Sequence, residues 1–409
     1  MRDLAKIVTI KELLPIEGKD RIELAVFNEN LYRVIVQKGF QIGDKAIFVE
    51  ADSLLPNDDK YDFLKARCFK ESLQRYLIKP MKMAGHISMG IVFDMSFLPK
   101  RKKPYKANED VTDILCIKKY EPVEDASPKK QKGLVGFMWK HSLTRPIIRA
   151  ITALTPKENK SFPTWLIPKS DETNLQDCSF VLNKYANVET YVTAKMEGQS
   201  ATYLFQPKRS IFGKKIELGT YTVCSRNNAY FVKRGMPHLF DLSERLGIKE
   251  KLMAYYKKYG VSLAIQGEVC GPKIQKNIYD FPCHWLFIYK IRDLTHSRVL
   301  SYTELQTTID ELNNLEAGKF DILRMVPVVE ACRVLKELEL DDYKNAEAIC
   351  HLGFKKPFFD EGNQVLEVLS GKKGKDYFLH EGVVVRGLNN EFSFKIKDAE
   401  YAYDFSGKE

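Results

Sequence analysis

The feature that most restricts this chain is a change in how its apolar residues are arranged. From Met1 to about Pro99 they come in brief, β-branched runs (KIVTI, IELAVF, LYRVIVQ, KAIFVE, MGIVFD) separated by Gly, Asp and Asn. Runs this short, punctuated by turn residues, predict a small β-barrel. After Phe162, strand-like runs (TYVTAKM, LAIQGEV, WLFIYKI, EGVVVRG, FSFKIK) alternate with stretches of helical period, LSERLGIKEKLMAYYKKY and TELQTTIDELNNLEA. That mixture predicts an α+β unit with antiparallel sheets. At 409 residues the chain exceeds the usual size of one core, so two separately packed units are expected.

Between the two patterns the composition turns basic and proline-containing, as KRKKPYK and then EPVEDASPKKQKG. This reads as solvated linker or mobile loop. Within it FMWKHSLTRPIIRAITAL has enough apolar residues for a short helix, which Pro146 begins or interrupts. The expected organisation is a barrel over 1–120, a basic linker over 121–160 and a mixed α+β unit over 161–409. The even spacing of brief strands suits an OB-like barrel, whose open face commonly holds single-stranded nucleic acid.

Lys plus Arg number 64 against 54 Asp plus Glu, a net charge of +10 that attracts a polyanion without identifying one. The eight cysteines are scattered, with no CxxC pair and no disulfide-scaffold spacing, which points to a reducing compartment. The N-terminal MRDLAKIVTIKELLP is broken by charges, and no apolar run is long enough to cross a bilayer. A soluble intracellular protein, of cytoplasm or nucleus, is expected.

Chemistry enters with Lys195-Met196-Glu197-Gly198, where a strand ends and a turn begins. Alone, four such residues are weak evidence and fit a solvated turn equally well. They are followed in order by Ser225-Arg226-Asn227, Gln266-Gly267-Glu268, Phe287 within WLFIYKI, Glu381-Gly382-Val383-Val384-Val385-Arg386, and Lys395-Ile396-Lys397. This ordered set, spanning nearly everything after Phe162, resembles the covalent nucleotidyltransferases: DNA ligases, RNA ligases and mRNA capping enzymes. YRVIVQKGFQIGDKAIFVEADSLLP likewise resembles the N-terminal OB domain that some RNA ligases carry.

The resemblance implies an ATP-grasp-like catalytic domain of antiparallel sheets and helices, a nucleotide held between two sheets, a lysyl-AMP intermediate on Lys195, and Mg or Mn. Residue chemistry points the same way. An ordinary lysine is almost wholly ammonium at neutral pH and a poor nucleophile. Lys395, Lys397 and a bound metal are expected to favour the free amine at Lys195. In FSFKIKD, alternation places Phe392, Phe394 and Ile396 on one face and Ser393, Lys395 and Lys397 on the other. Two ammonium groups pointing together are suited to charge spreading over phosphate oxygens.

Glu197, Glu268 and Glu381 offer the hard oxygens that Mg or Mn prefers, mostly through water. By resemblance Glu268 is assigned instead, or also, to the ribose hydroxyls, Arg226 to ribose or phosphate, and Gly198 to nucleotide binding. Phe287 is assigned to stacking on adenine, with a core position as the competing reading. Ser200 is a phosphate contact or a turn residue. FPTWLIPKSDETNLQD resembles the segment preceding the nucleophile in RNA ligases, with Lys169 as a nucleotide contact; a helix cap at Ser170 or Asp171 accounts for the same residues.

DNA ligases and capping enzymes typically continue into a C-terminal OB domain, whereas here the sequence stops soon after Lys397 and the OB-like region is N-terminal. An ATP-dependent RNA ligase is therefore the first expectation, acting as a monomer on RNA 3′-hydroxyl and 5′-phosphate ends, in a nicked duplex or RNA–DNA hybrid. A DNA ligase, a GTP-dependent capping enzyme and a non-catalytic RNA-binding protein are the alternatives. Glu197 departs from the Asp most often found at its place, on a longer arm.

Overall fold

The computed structural model describes residues 3–29, 32–120, 159–207, 219–279, 281–351 and 381–406. The N-terminal barrel is organised by the strand Ala5–Pro15, long enough to serve two partners. Its first half pairs antiparallel with Lys45–Glu50 and its second with Ile22–Phe27, and the register slips between Ile10 and Glu12. An extra residue in one strand bends it and increases its twist, which turns a ladder around a barrel corner. Gly90–Phe93 and Val34–Gln37 complete the five-stranded sheet at its two ends. These ends come together through Ser88, whose Oγ accepts from Ile35 N (3.1 Å) and donates to Gly90 O (2.9 Å). Alternation then separates two cores, Ile7 with Ile47 and Val49 in one, Val8 and Ile10 with Phe27 and Phe48 in the other.

A second sheet in this unit runs Lys118–Lys119, Ser53–Leu55, Arg75–Ile78, Phe69–Lys70. The basic stretch KRKKPYK, read from its charge as solvated linker or mobile loop, is held by the barrel. Arg101 makes a two-pronged ion pair with Glu109 (2.7 Å on each prong) and lies 3.6 Å from the Tyr105 ring centre, while Lys45 Nζ donates to Tyr105 O (2.7 Å). Planar guanidinium stacking and fork geometry fix the backbone that the charge pattern alone assigned to solvent. The remaining linker expectation, including FMWKHSLTRPIIRAITAL, lies outside the described residues.

The C-terminal unit contains two antiparallel sheets. The larger runs Asn159–Ser161, Asn228–Tyr230, Thr220–Ser225, Gln199–Gln206, Leu263–Cys270, Trp285–Asp293, Arg298–Val299, with Arg324–Met325 added in parallel. Helices Pro237–Leu246, Ile248–Tyr259 and Tyr302–Leu315 cover one face, packing Leu239, Leu252 and Ile309 on Tyr203, Val223, Ile265 and Leu286. The stretch LSERLGIKEKLMAYYKKY is therefore two helices. Gly247 breaks it at φ +60°, where a side chain would also strike the Phe320 ring. The third helix starts at a capping box formed by Ser301 and Glu304.

The smaller sheet runs Val328–Val334, Glu189–Ala194, Gly382–Gly387, Ser393–Lys397. Its outer face is covered by Phe180–Lys184 and Tyr343–Cys350 through Val181, Ile349, Val383, Val385 and Phe394. Among the described residues no helix is long and apolar enough to cross a membrane.

Candidate active site

Glu189–Ala194 belongs to the small sheet and Gln199–Gln206 to the large one, so Lys195-Met196-Glu197-Gly198 is the chain crossing between them. A cavity of about 1300 Å³ opens at this crossing. Its wall gathers Lys169, Lys195, Gly198, Ser200, Arg226, Glu268, Glu381, Lys395 and Lys397. Residues separated by more than two hundred positions thus meet because both sheets present their inner faces to one space.

Lys195 N donates to Gly382 O (2.8 Å), which ties the crossing to the neighbouring strand. Its Nζ forms a salt bridge with Glu381, both side chains being about one-fifth exposed. Gly198 is required by close approach: a Cβ there would lie 2.5 Å from Val269 O and 2.8 Å from Glu268 Cγ. Alternation on Ser393–Lys397 is as the sequence predicts, with Phe394 and Ile396 buried and Lys395 and Lys397 facing the cavity.

Two expected residues are not on the wall. Glu197 is 2% exposed. Its carboxylate accepts from Lys276 N (3.3 Å) and Ile278 N (3.2 Å), and its own N–H donates to Tyr279 Oη (2.9 Å). The segment it holds contains three non-glycine residues at positive φ, Lys273, Gln275 and Asn277. Such alternating backbone turns N–H groups inward as an anion-binding nest, and here the anion is Glu197. The carboxylate expected among the metal ligands instead anchors the 273–278 segment against the crossing.

Phe287 is likewise 2% exposed and packs with Met196, Cys270 and Phe281. The aromatic on this strand that does line the cavity is Tyr289, two residues on. Alternation gives the face of the strand but not the depth at which each residue sits. Tyr289 Oη is hydrogen-bonded to Ser170 Oγ (2.6 Å) and Ser200 Oγ (3.3 Å), which anchors the side chain beside the expected Ser200. Burial pushes its phenol up to about 12.

The segment before the nucleophile starts no helix at Ser170 or Asp171. It runs extended along the cavity, with Lys169 Nζ donating to Asn227 Oδ1 (2.8 Å) and Asp171 paired to Arg226 (3.0 Å). Glu172 goes deeper. It binds Arg386 (3.1 Å), Ser393 Oγ and Lys290 (3.7 Å), joining both sheets. Arg386 also donates to Thr193 Oγ1 (3.0 Å) and is 3% exposed. A motif arginine with a buried acid partner was not legible, because Glu172 is one of several acids in its segment.

The electrostatics are dominated by the burial of one carboxyl among other charged groups. Burial pushes the Glu268 carboxyl up to about 8; Lys195 and Arg226 oppose this, and Glu381 and Asp171 add to it. A carboxylate held at such cost is poised for a cation. Among the described residues no three or more His, Cys, Asp or Glu side chains form a ready cage. The barrel also reaches the cavity, through Asp52, Lys119 and Tyr120.

Residues 188–397, half of the chain, match the family model described as RNA ligase, and residues 4–95 match one described as an OB-fold domain. By structure the chain is similar to Naegleria gruberi RNA ligase with PPi, at 22% identity over 99% of both chains and a TM-score of 0.69. It is equally similar to a single-residue mutant of that enzyme with AMP and Mn, at 22% identity over 98% of this chain and 99% of the other, TM-score 0.69. A second mutant without ligand gives 23% identity over 99% and 98%, TM-score 0.68. At this identity the likeness shows the fold. No curated protein matches the chain by sequence.

Proposed function

The chain belongs to the RNA ligase family, and on that premise we propose that it joins RNA 3′-hydroxyl and 5′-phosphate ends with ATP, through AMP carried on Lys195. The observation that carries this reading is the convergence of Lys195, Arg226, Glu268, Glu381, Lys395 and Lys397 on one cavity wall. A binding protein with a decayed catalytic unit has no reason to keep a nucleophile, acids and paired lysines facing the same space.

The acids present fit a divalent metal. Glu268 and Glu381 line the cavity with Lys195, and Mg or Mn usually binds through few carboxylates while keeping several waters. Bound there, the ion supplies positive charge to the α-phosphate of ATP.

Lys195 must give up its ammonium proton to solvent and leave its ion pair with Glu381 before it attacks, because that proton occupies the attacking lone pair; a second proton passes to solvent as the P–N bond forms. Nζ then forms a bond to the α-phosphorus and pyrophosphate leaves with the electrons of the broken P–O bond. Lys395 and Lys397 offer ammonium groups to the departing charge. In the second step a 5′-phosphate oxygen of RNA displaces Lys195 from AMP, and both protons return to the amine. In the third, the 3′-hydroxyl attacks the activated 5′-phosphorus, forming the phosphodiester and releasing AMP. Tyr289, in place of Phe287, is the aromatic offered to the base. The substrate is a nicked duplex or RNA–DNA hybrid laid across barrel and catalytic unit, and the enzyme acts as a monomer.

Intact mass after incubation with ATP or GTP tests this. The expected result is one AMP added to the wild type and none to Lys195→Ala; labelling by GTP alone supports the capping alternative and overturns the ligase reading.

A further inference from the structure

Ser393–Lys397 is the last strand of its sheet, so two lysines needing exact placement sit on an edge. That edge is met by the segment before the nucleophile. Lys395 N donates to Thr173 O (2.8 Å), and Asn174 forms a parallel bridge with Lys395. The segment is in turn gripped from the barrel. Glu50 Oε1 accepts from Asn174 Nδ2 (3.3 Å) and Gln176 Nε2, and Lys6 Nζ donates to Gln176 O (2.7 Å). Lys6, Glu50 and Asn174 are each 4% exposed and Gln176 5%. Neither Lys6 nor Glu50 lines the cavity.

A buried acid and a buried ammonium are a costly way to glue two units, since apolar residues of similar volume often do it as well. What charged and amide groups add is direction: each hydrogen bond holds only in one geometry. Burial lowers the pKa of the Lys6 ammonium, and the nearby Asp177 and Glu50 carboxylates oppose that shift.

Resting on the reading of Lys395 as an active-site group, we infer that Glu50 and Lys6 are positioning residues for the nucleotidyl-transfer step. They lock Thr173–Gln176 against the edge strand, and the barrel thereby sets where Lys395 lies without touching the nucleotide.

The test is a double-mutant cycle on full-length protein, measuring single-turnover adenylylation of Lys195 at saturating ATP. Glu50→Ala is expected to slow the step about tenfold with KM for ATP within about twofold of wild type. In a Lys395→Ala background the same change is expected to cost less than about twofold, because the group being positioned is gone. Glu50→Gln, which keeps an acceptor at Oε1, is expected to recover most of the rate. An equal loss in both backgrounds, or a loss confined to KM, overturns the inference and leaves Glu50 as structural glue. Should Glu50→Ala fail to fold, Lys6→Met is taken through the same cycle against the same criteria. Failure of the wild type to label at Lys195 overturns the functional reading instead, so the two outcomes are distinct.

Discussion

Replacing Glu268 by Gln should make the protein more stable, and by an amount that depends on pH in a calculable way. In the native protein the carboxyl holds its proton up to about 8, against an ordinary 4.5. Below 4.5 it is protonated in both folded and unfolded states and contributes no penalty. As pH rises from there the unfolded chain loses the proton first, and native stability falls by about 1.36 kcal/mol per unit until the native group ionises near 8. Between roughly pH 5 and 7.5 the accumulated cost is about 3 kcal/mol. Glu268→Gln has no such proton, so its stability advantage over wild type should widen by that amount across the interval. Urea unfolding of both proteins in EDTA at several pH values measures the gap. Added Mn should narrow it again at pH 7.5, since an ion bound to the ionised carboxylate stabilises only the wild type. A gap that stays constant with pH, or shrinks as pH rises, refutes burial of the Glu268 carboxyl as the source of the shift.

Other substitutions separate the wall of the cavity from its foundations. Tyr289→Ala should raise KM for ATP about tenfold with little loss of stability, whereas Phe287→Ala should cost about 3–5 kcal/mol in unfolding free energy by leaving a hole in the aromatic cluster; the reverse pattern returns Phe287 to the base. Glu172→Ala should destabilise by about 3–5 kcal/mol, because it strands the buried Arg386 charge, and a change under about 1 kcal/mol in thermal or urea unfolding contradicts the inter-sheet network. Gly198→Ala should reduce Lys195 labelling at least about tenfold, since the added carbon displaces Val269 or Glu268 and an ångström of misplacement can cost that much; near-normal labelling shows that the crossing yields more than its packing implies.

The parts of the site that sequence could reveal are those governed by local period. Lys395 and Lys397 share a face because a strand repeats every two residues, and no tertiary information is needed to say so. Lys195 was legible in another way, as the first of an ordered set of motifs rather than through any period. Depth and docking are different in kind. Phe287 and Tyr289 share a face, yet one is sealed by Phe281 and Met196 and the other opens on the cavity, a distinction made by the chain packed above them. Glu197 left the expected metal set because a segment some eighty residues later folds its N–H groups around it. The basic run after Pro99 was assigned to solvent on charge, and Glu109 with Tyr105 overrode that. Lys119 and Tyr120 reach the cavity only because the barrel docks beside it, which no window of sequence encodes.

The crossing at Lys195-Met196-Glu197-Gly198 has a mechanical consequence. The chain passes between the sheets there and again between Arg324–Met325 and Val328–Val334. A group tethered on Lys195 is therefore fixed by covalent chain to both walls of the cavity at once, so its distance to residues on either sheet is set by backbone geometry rather than by side-chain reach.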